Sequence, residues 1–170
     1  MDTIIKKVTC KDGKLAVDYE TTRIDRQDTD KYRLESYDIP KQSLYEALDR
    51  LKADLLSICE FPDDWEDKVH VIGVTFSWKN DIMGATITGT VALKSSYFPL
   101  VVNTPHKREI TDMEQDNLAV FSDGAICNLS ALLFEVKKYI EGDRYKTQLD
   151  IFEEQQKKQD AAQKHEPVEA

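Results

Sequence analysis

At 170 residues the chain suits one domain, long enough to bury a single core. Its net charge of −9 is uneven: residues 1–110 carry 16 Lys+Arg against 19 Asp+Glu (−3), and residues 111–170 carry 7 against 13 (−6). The body therefore lacks the basic surplus of a typical duplex-binding protein. No stretch approaches the roughly 20 apolar residues of a membrane helix, and Met1 to Lys7 lacks the apolar core of a secretory signal, which points to a cytoplasmic protein.

Ile4, Ile5, Val8 and Cys10 lead into Lys11-Asp12-Gly13-Lys14, and Leu15, Val17 and Tyr19 lead out. Asp-Gly supplies the positive φ angles of a tight turn, so this segment reads as a hairpin. Thr22 to Thr29 is charged and reads as a loop, and Tyr32, Leu34 and Ser36 alternate with charged neighbours as a third strand. After Pro40, Leu44, Ala47, Leu48, Leu51, Leu55 and Ile58 recur at helical spacing, and Pro62 stops continuation. The acidic connector Asp63–Asp67 precedes a strand in which His70, Ile72, Val74, Phe76 and Trp78 share one face, which makes Trp78 a core residue. Lys79-Asn80-Asp81 turns the chain, and Ala85, Ile87, Gly89, Val91 and Leu93 alternate with threonines in the return strand.

Tyr97 to Val102 predicts a short strand, with Tyr97 and Phe98 packing under a second helix. That helix starts at Ser122 or Asp123, carries the stripe Ile126, Leu129, Leu133, Val136 and Ile140, widened by Leu132 and Phe134, and ends at Gly142. The run from Glu153 to Ala170 has no core-forming residue and reads as disordered. The expected architecture is α+β: an antiparallel sheet with two main helices packed on one face, a single domain over residues 1–145, and a polar tail over 146–170.

Catalytic signals are weak. Cys10, Cys59 and Cys127 form no CxxC pair, and the last two lie in apolar helical patterns that predict buried thiols. His70, His106 and His165 are scattered, so no metal site or cofactor is indicated. Asp28, Asp30, Asp63 and Asp64 offer oxygens to a hard cation, although adjacent loop acids are ordinarily just solvated. His106 lies in a loop with no nucleophile paired to it in sequence, and the expectation is a protein that is not an enzyme.

Gln148-Leu149-Asp150-Ile151-Phe152 resembles the peptide by which bacterial replication and repair proteins bind the DNA sliding clamp. The resemblance implies that Gln148 hydrogen-bonds at a pocket edge while Leu149, Ile151 and Phe152 fill an apolar cleft; Ile151 departs from the commoner leucine. The patterns Gly84–Gly89, Pro99–His106 and Tyr139–Arg144 are similar to uncharacterised proteins of tailed phages and prophages, which implies a phage setting and transfers no catalytic residue. In the body, aromatic and basic residues interleave at Tyr32-Arg33, Trp78-Lys79, Lys94 with Tyr97 and Phe98, and Lys107-Arg108, a pattern suited to single-stranded DNA. The expected function is a phage accessory protein of DNA replication or recombination, tethered to the clamp by its tail. The rivals are a phage inhibitor that occupies a host protein or mimics DNA by its negative charge, and a structural virion component.

Overall fold

The structure, a computed structural model, describes residues 2–23, 28–110 and 117–163. Asp12 and Gly13 take φ of 52° and 73°, the turn that two-residue hairpins require, and join β1 (Asp2–Lys11) to β2 (Lys14–Arg23). β3 (Asp28–Ser36) pairs with β2 along its length, and residues 24–27, within the expected loop, lie outside the described residues. α1 (Gln42–Ile58) follows, ending where Glu60 turns to φ 55°, and a short 3-10 helix spans Asp63–Lys68. β4 (Val69–Lys79) and β5 (Ile82–Val91) form the second hairpin, joined through Asn80 and Asp81 at positive φ.

β6 (Leu100–Asn103) and β7 (Lys107–Arg108) both pair with β5, on successive stretches of the same edge. Each pairing between these strands is antiparallel, and the sheet runs β3-β2-β1-β4-β5-β6 with β7 beside β6 on β5. α2 (Asp123–Ile140) lies against α1 and β1, and α1 against β4 and β5. Helices therefore cover one face of the sheet, giving the expected α+β architecture. The core between the layers is aliphatic: Val8, Leu15, Val17, Leu51, Leu55, Val74, Ile87, Leu129 and Leu132 are almost wholly buried.

Two bulges set which side chains enter that core. β1 slips between Ile5 and Lys7, and β4 between Val71 and Gly73. An extra residue reverses the in–out alternation beyond it. Before the second bulge Val69 and Val71 point inward and His70 is exposed; after it Val74 and Phe76 point inward. The expectation that His70 and Ile72 share the core face of Val74 and Phe76 is corrected accordingly. Trp78, also expected in the core, is 36% exposed at the strand end, where its indole N–H donates to the Ile5 carbonyl at 3.1 Å.

α2 begins as its sequence predicts, with the Ser122 hydroxyl accepting from the Ala125 N–H at 3.2 Å. Its buried stripe is Ala125, Leu129, Leu132, Val136 and Tyr139, while Phe134 is exposed. Cys127 is exposed and Cys59 half-buried, which corrects the expectation of two buried thiols. Tyr97 and Phe98 do not pack under α2: they stand in the loop before β6 at 105% and 81% exposure.

α3 (Gln148–Gln163) runs from the clamp-like motif into the polar segment that starts at Glu153. Its side chains from Asp150 to Lys158 are exposed, and among the described residues no core residue lies beyond Ile140. Local capping therefore accounts for the helix where burial does not; residues 164–170 lie outside the described residues.

Candidate functional site

α2 ends at Gly142, whose φ of 95° reverses the chain as helix-terminating glycines do. The next residues are stitched to the loop between β3 and α1. The Tyr139 hydroxyl donates to the Asp38 carbonyl at 2.7 Å, and the Tyr145 N–H donates to the Ile39 carbonyl at 3.0 Å. Arg144 pairs with Asp38 and Lys41 with Asp143. The Lys41 ammonium bonding to Asp143 holds that carboxyl below its ordinary range. α3 thus departs from a fixed base.

Its first turn is closed by Thr147 and Asp150. The Thr147 N–H donates to the Asp150 carboxylate at 2.8 Å, and the Asp150 N–H donates to the Thr147 hydroxyl at 3.2 Å. This reciprocal cap, Thr-x-x-Asp, satisfies donors that a helix start leaves unpaired. It was present in the sequence and is the signal that would have revealed α3. Lys146 adds bonds to Glu154 at 2.8 and 3.0 Å.

The clamp-like motif occupies this turn. By helical spacing, positions 148, 151 and 152 fall on one face and position 149 adjoins 152. Ile151 and Phe152 are 45% and 57% exposed, so two of the four partner-binding residues named from sequence, with Gln148 and Leu149 beginning the same helix, stand outside the core.

The cap makes α3 sensitive to acid. Hydrogen bonds from the Thr147 side chain and backbone hold the Asp150 carboxyl below its ordinary value, and Lys146 does the same for Glu154. A carboxyl depressed in the folded state stabilises above its unfolded pKa, about 3.9 for Asp, and that stabilisation disappears as pH falls through the lowered value. α3 should therefore lose helical chemical shifts below about pH 4. Thr147→Ala should weaken the same turn at neutral pH by about 1 kcal/mol. Helical shifts unchanged in Thr147→Ala would refute this account of the cap.

The residues proposed for DNA do not form one aromatic–basic face. Tyr32 stacks on Tyr19 with ring centroids 5.3 Å apart, on the face bearing Val17 and Leu34. Arg33 projects to the opposite face, where its Nε donates to Glu35 at 2.8 Å and Asp18 lies 3.7 Å from its Nη1. Lys79 ends β4, and Lys94 and Tyr97 lie between β5 and β6. Lys107 and Arg108 form β7 on the far edge, where the Lys107 ammonium donates to the Leu118 carbonyl at 2.7 Å. With strands about 4.8 Å apart, the β3 and β6 edges stand roughly 24 Å from each other.

The structure assembles a different group. Lys7, Thr9 and Lys11 project from alternate positions of β1 onto the face without helices, and meet Lys14, Asp18, Arg33 and Glu35 around a shallow concavity of about 300 Å³. Four cations face two carboxylates there. The period-two run Lys7-x-Thr9-x-Lys11 was the signal, obscured because each lysine alone resembles ordinary surface charge.

On the same face Ser77 Oγ lies 2.8 Å from Nε2 of His106, giving that histidine a hydroxyl neighbour invisible in sequence. Gly84 makes room for the pair, since a Cβ there would lie 2.5 Å from the hydroxyl and 2.6 Å from the ring. Asp30 is paired with Arg23 at 3.2 Å, and Asp63 and Asp64 begin the 3-10 helix. Among the described residues no three His, Cys, Asp or Glu cluster to hold a metal ion, and no helix is long and apolar enough to cross a membrane. In comparisons with family models, curated proteins and solved structures, nothing matches this chain.

Proposed function

We propose that this chain is a non-enzymatic accessory protein of phage DNA replication or recombination, docked on the bacterial sliding clamp through α3. The observation that carries this reading is the position of the Gln148–Phe152 motif. It begins a capped helix on which Ile151 and Phe152 are exposed, on a base anchored to the domain and beyond the last core residue among the described ones. A few apolar anchors entering a preformed groove require such presentation. Tethering then raises the effective concentration of the domain at DNA without any chemical step. In calorimetry with purified clamp, the full chain should bind and a version ending at Tyr145 should not. Binding by both, or by neither, would overturn the docking role.

The helix-free sheet face supplies the single-stranded DNA contact in this reading, with Lys7 and Lys11 meeting phosphates beside Thr9. A labelled oligonucleotide should bind at low salt, and Lys7→Ala with Lys11→Ala should flatten the log–log salt slope by about 0.7 for each lost phosphate contact. A chain indifferent to DNA that instead competes with DNA on a host protein would favour the inhibitor reading, for which the acidic 3-10 turn with Asp63, Asp64 and Glu66 is the matching feature.

A further inference from the structure

The two edges of the sheet are built differently. β3 is studded with Asp28, Asp30, Lys31, Arg33 and Glu35, charges that discourage another strand from pairing. At the opposite edge the chain covers β7 itself: Val120 bridges Arg108, and the Phe121 N–H donates to the Arg108 carbonyl at 2.9 Å. Among the described residues, none pairs with the outer edge of β6. It lies in the stretch Ser95–His106, which contains no Asp, Glu, Lys or Arg in a chain that is 32% charged. That stretch presents Tyr97, Phe98, Leu100 and Val101 to solvent.

The hydrogen-bond phase of β6 is fixed by Thr104, whose N–H donates to the Ile87 carbonyl at 2.9 Å while its hydroxyl accepts from the Ile87 N–H at 2.9 Å. Inward and outward backbone groups alternate from that point, so Leu100 and Val102 bond to β5, and Val101 and Asn103 direct N–H and C=O away from the sheet. Pro99 and Pro105 fall at the next outward positions on either side and have no N–H to offer. The free edge is therefore limited to two residues, closed at both ends.

We propose that this edge is a self-association surface, on which β6 of a second copy pairs antiparallel about a twofold axis through Val102. In that register Val101 of each copy meets Asn103 of the other and they exchange both backbone hydrogen bonds. Val102 meets its own counterpart in the close, non-hydrogen-bonded position, and the two prolines face each other where no bond is needed. The register also carries Tyr97 and Phe98 of each copy over the Pro105–Lys107 segment of the other.

Charge selects a second copy as the occupant. Two chains of charge −9 meet here without a like-charge contact in the strand, whereas β3 paired to itself about Tyr32 would oppose Lys31 and Arg33. Area agrees: aromatic rings bury about 150–250 Å² each, so Tyr97 and Phe98 alone supply close to half of the ~800 Å² per partner of a standard interface.

Sedimentation velocity of the full chain at tens of micromolar should show a dimer whose affinity changes little with salt. Val101→Pro removes only an outward N–H, and should raise the dimer dissociation constant at least ~30-fold, as should Tyr97→Glu with Phe98→Glu. At concentrations low enough for the wild-type chain to be monomeric, both variants should keep its circular dichroism spectrum and melting temperature. The proposal fails if the wild-type chain is a monomer at those concentrations. It also fails if the dimer survives in Val101→Pro or in the double glutamate variant, either of which would place the contact elsewhere.

Discussion

Gly73→Ala is expected to destabilise the fold by about 3 kcal/mol, near the upper end for a single added methyl group in a packed site. A Cβ at this position would lie 2.4 Å from the Val8 carbonyl oxygen and 3.2 Å from the Thr9 Cα. Both are backbone atoms of the neighbouring strand, so no side chain can rotate aside to relieve the clash. The seam is also narrow. β1 and β4 are registered only through Lys7 with Thr75, Val8 with Val74, and Thr9 with Gly73, and those pairs join the β1–β3 half of the sheet to the β4–β7 half. Separating the strands would expose Val8 and Val74, both almost wholly buried, along with the backbone bonds. Urea denaturation should show a lower midpoint with an unchanged slope. Gly124→Ala serves as the control: its Cβ would come no closer than 3.9 Å to Ser122 Oγ, and alanine favours a helix. A Gly73→Ala variant as stable as wild type would mean that β1 and β4 can part without cost, and that the core alone holds the halves together.

How much was legible in the sequence depended on how local the signal was. Asp12-Gly13 specifies its turn through φ alone, the leucines from Leu44 to Leu55 specify one face of α1 by spacing, and Ser122 marks the start of α2 by its own hydrogen bond. The β4 faces could not be read so simply. The extra residue at Ile72 is accommodated because Gly73 lets the Val8 carbonyl approach, a condition set by a strand distant in sequence. α3 rests on local bonds rather than on burial, and Thr147 and Asp150 state its cap in the chain itself. Tyr97 and Phe98 read as core residues because hydrophobicity does not reveal whether a neighbour exists to cover it.

The candidate sites divide in the same way. The clamp-like motif stands out in the sequence because its residues are contiguous, and the structure adds that Ile151 and Phe152 are exposed. The basic–aromatic set does not form one face, because adjacent strand residues such as Tyr32 and Arg33 necessarily face opposite sides of the sheet. Lys7, Lys11 and Arg33 come together only through the β1–β2–β3 pairing.

Phe152→Ala is expected to weaken binding to the clamp at least ~30-fold, as loss of a central aromatic anchor does, and Gln148→Ala to abolish detectable heat alongside it. Phe152 is 57% exposed and, among the described residues, no core residue lies beyond Ile140, so Phe152→Ala should melt at the wild-type temperature. Glu153→Ala, one position further along the exposed helix, should bind within about twofold of wild type if contacts are confined to the apolar anchors. Thr147→Ala separates two modes of recognition. If the clamp accepts the helical turn as it stands, releasing the cap lowers affinity by the ordering cost of about 1 kcal/mol; if the groove takes an extended peptide, the same change raises affinity by a similar factor. Unchanged affinity in Phe152→Ala or Gln148→Ala would show that this turn does not enter the clamp. A chain paired through β6 would carry two α3 helices, and disrupting that pair with Val101→Pro should then reduce avidity for a surface displaying several clamps while leaving the affinity of each helix intact.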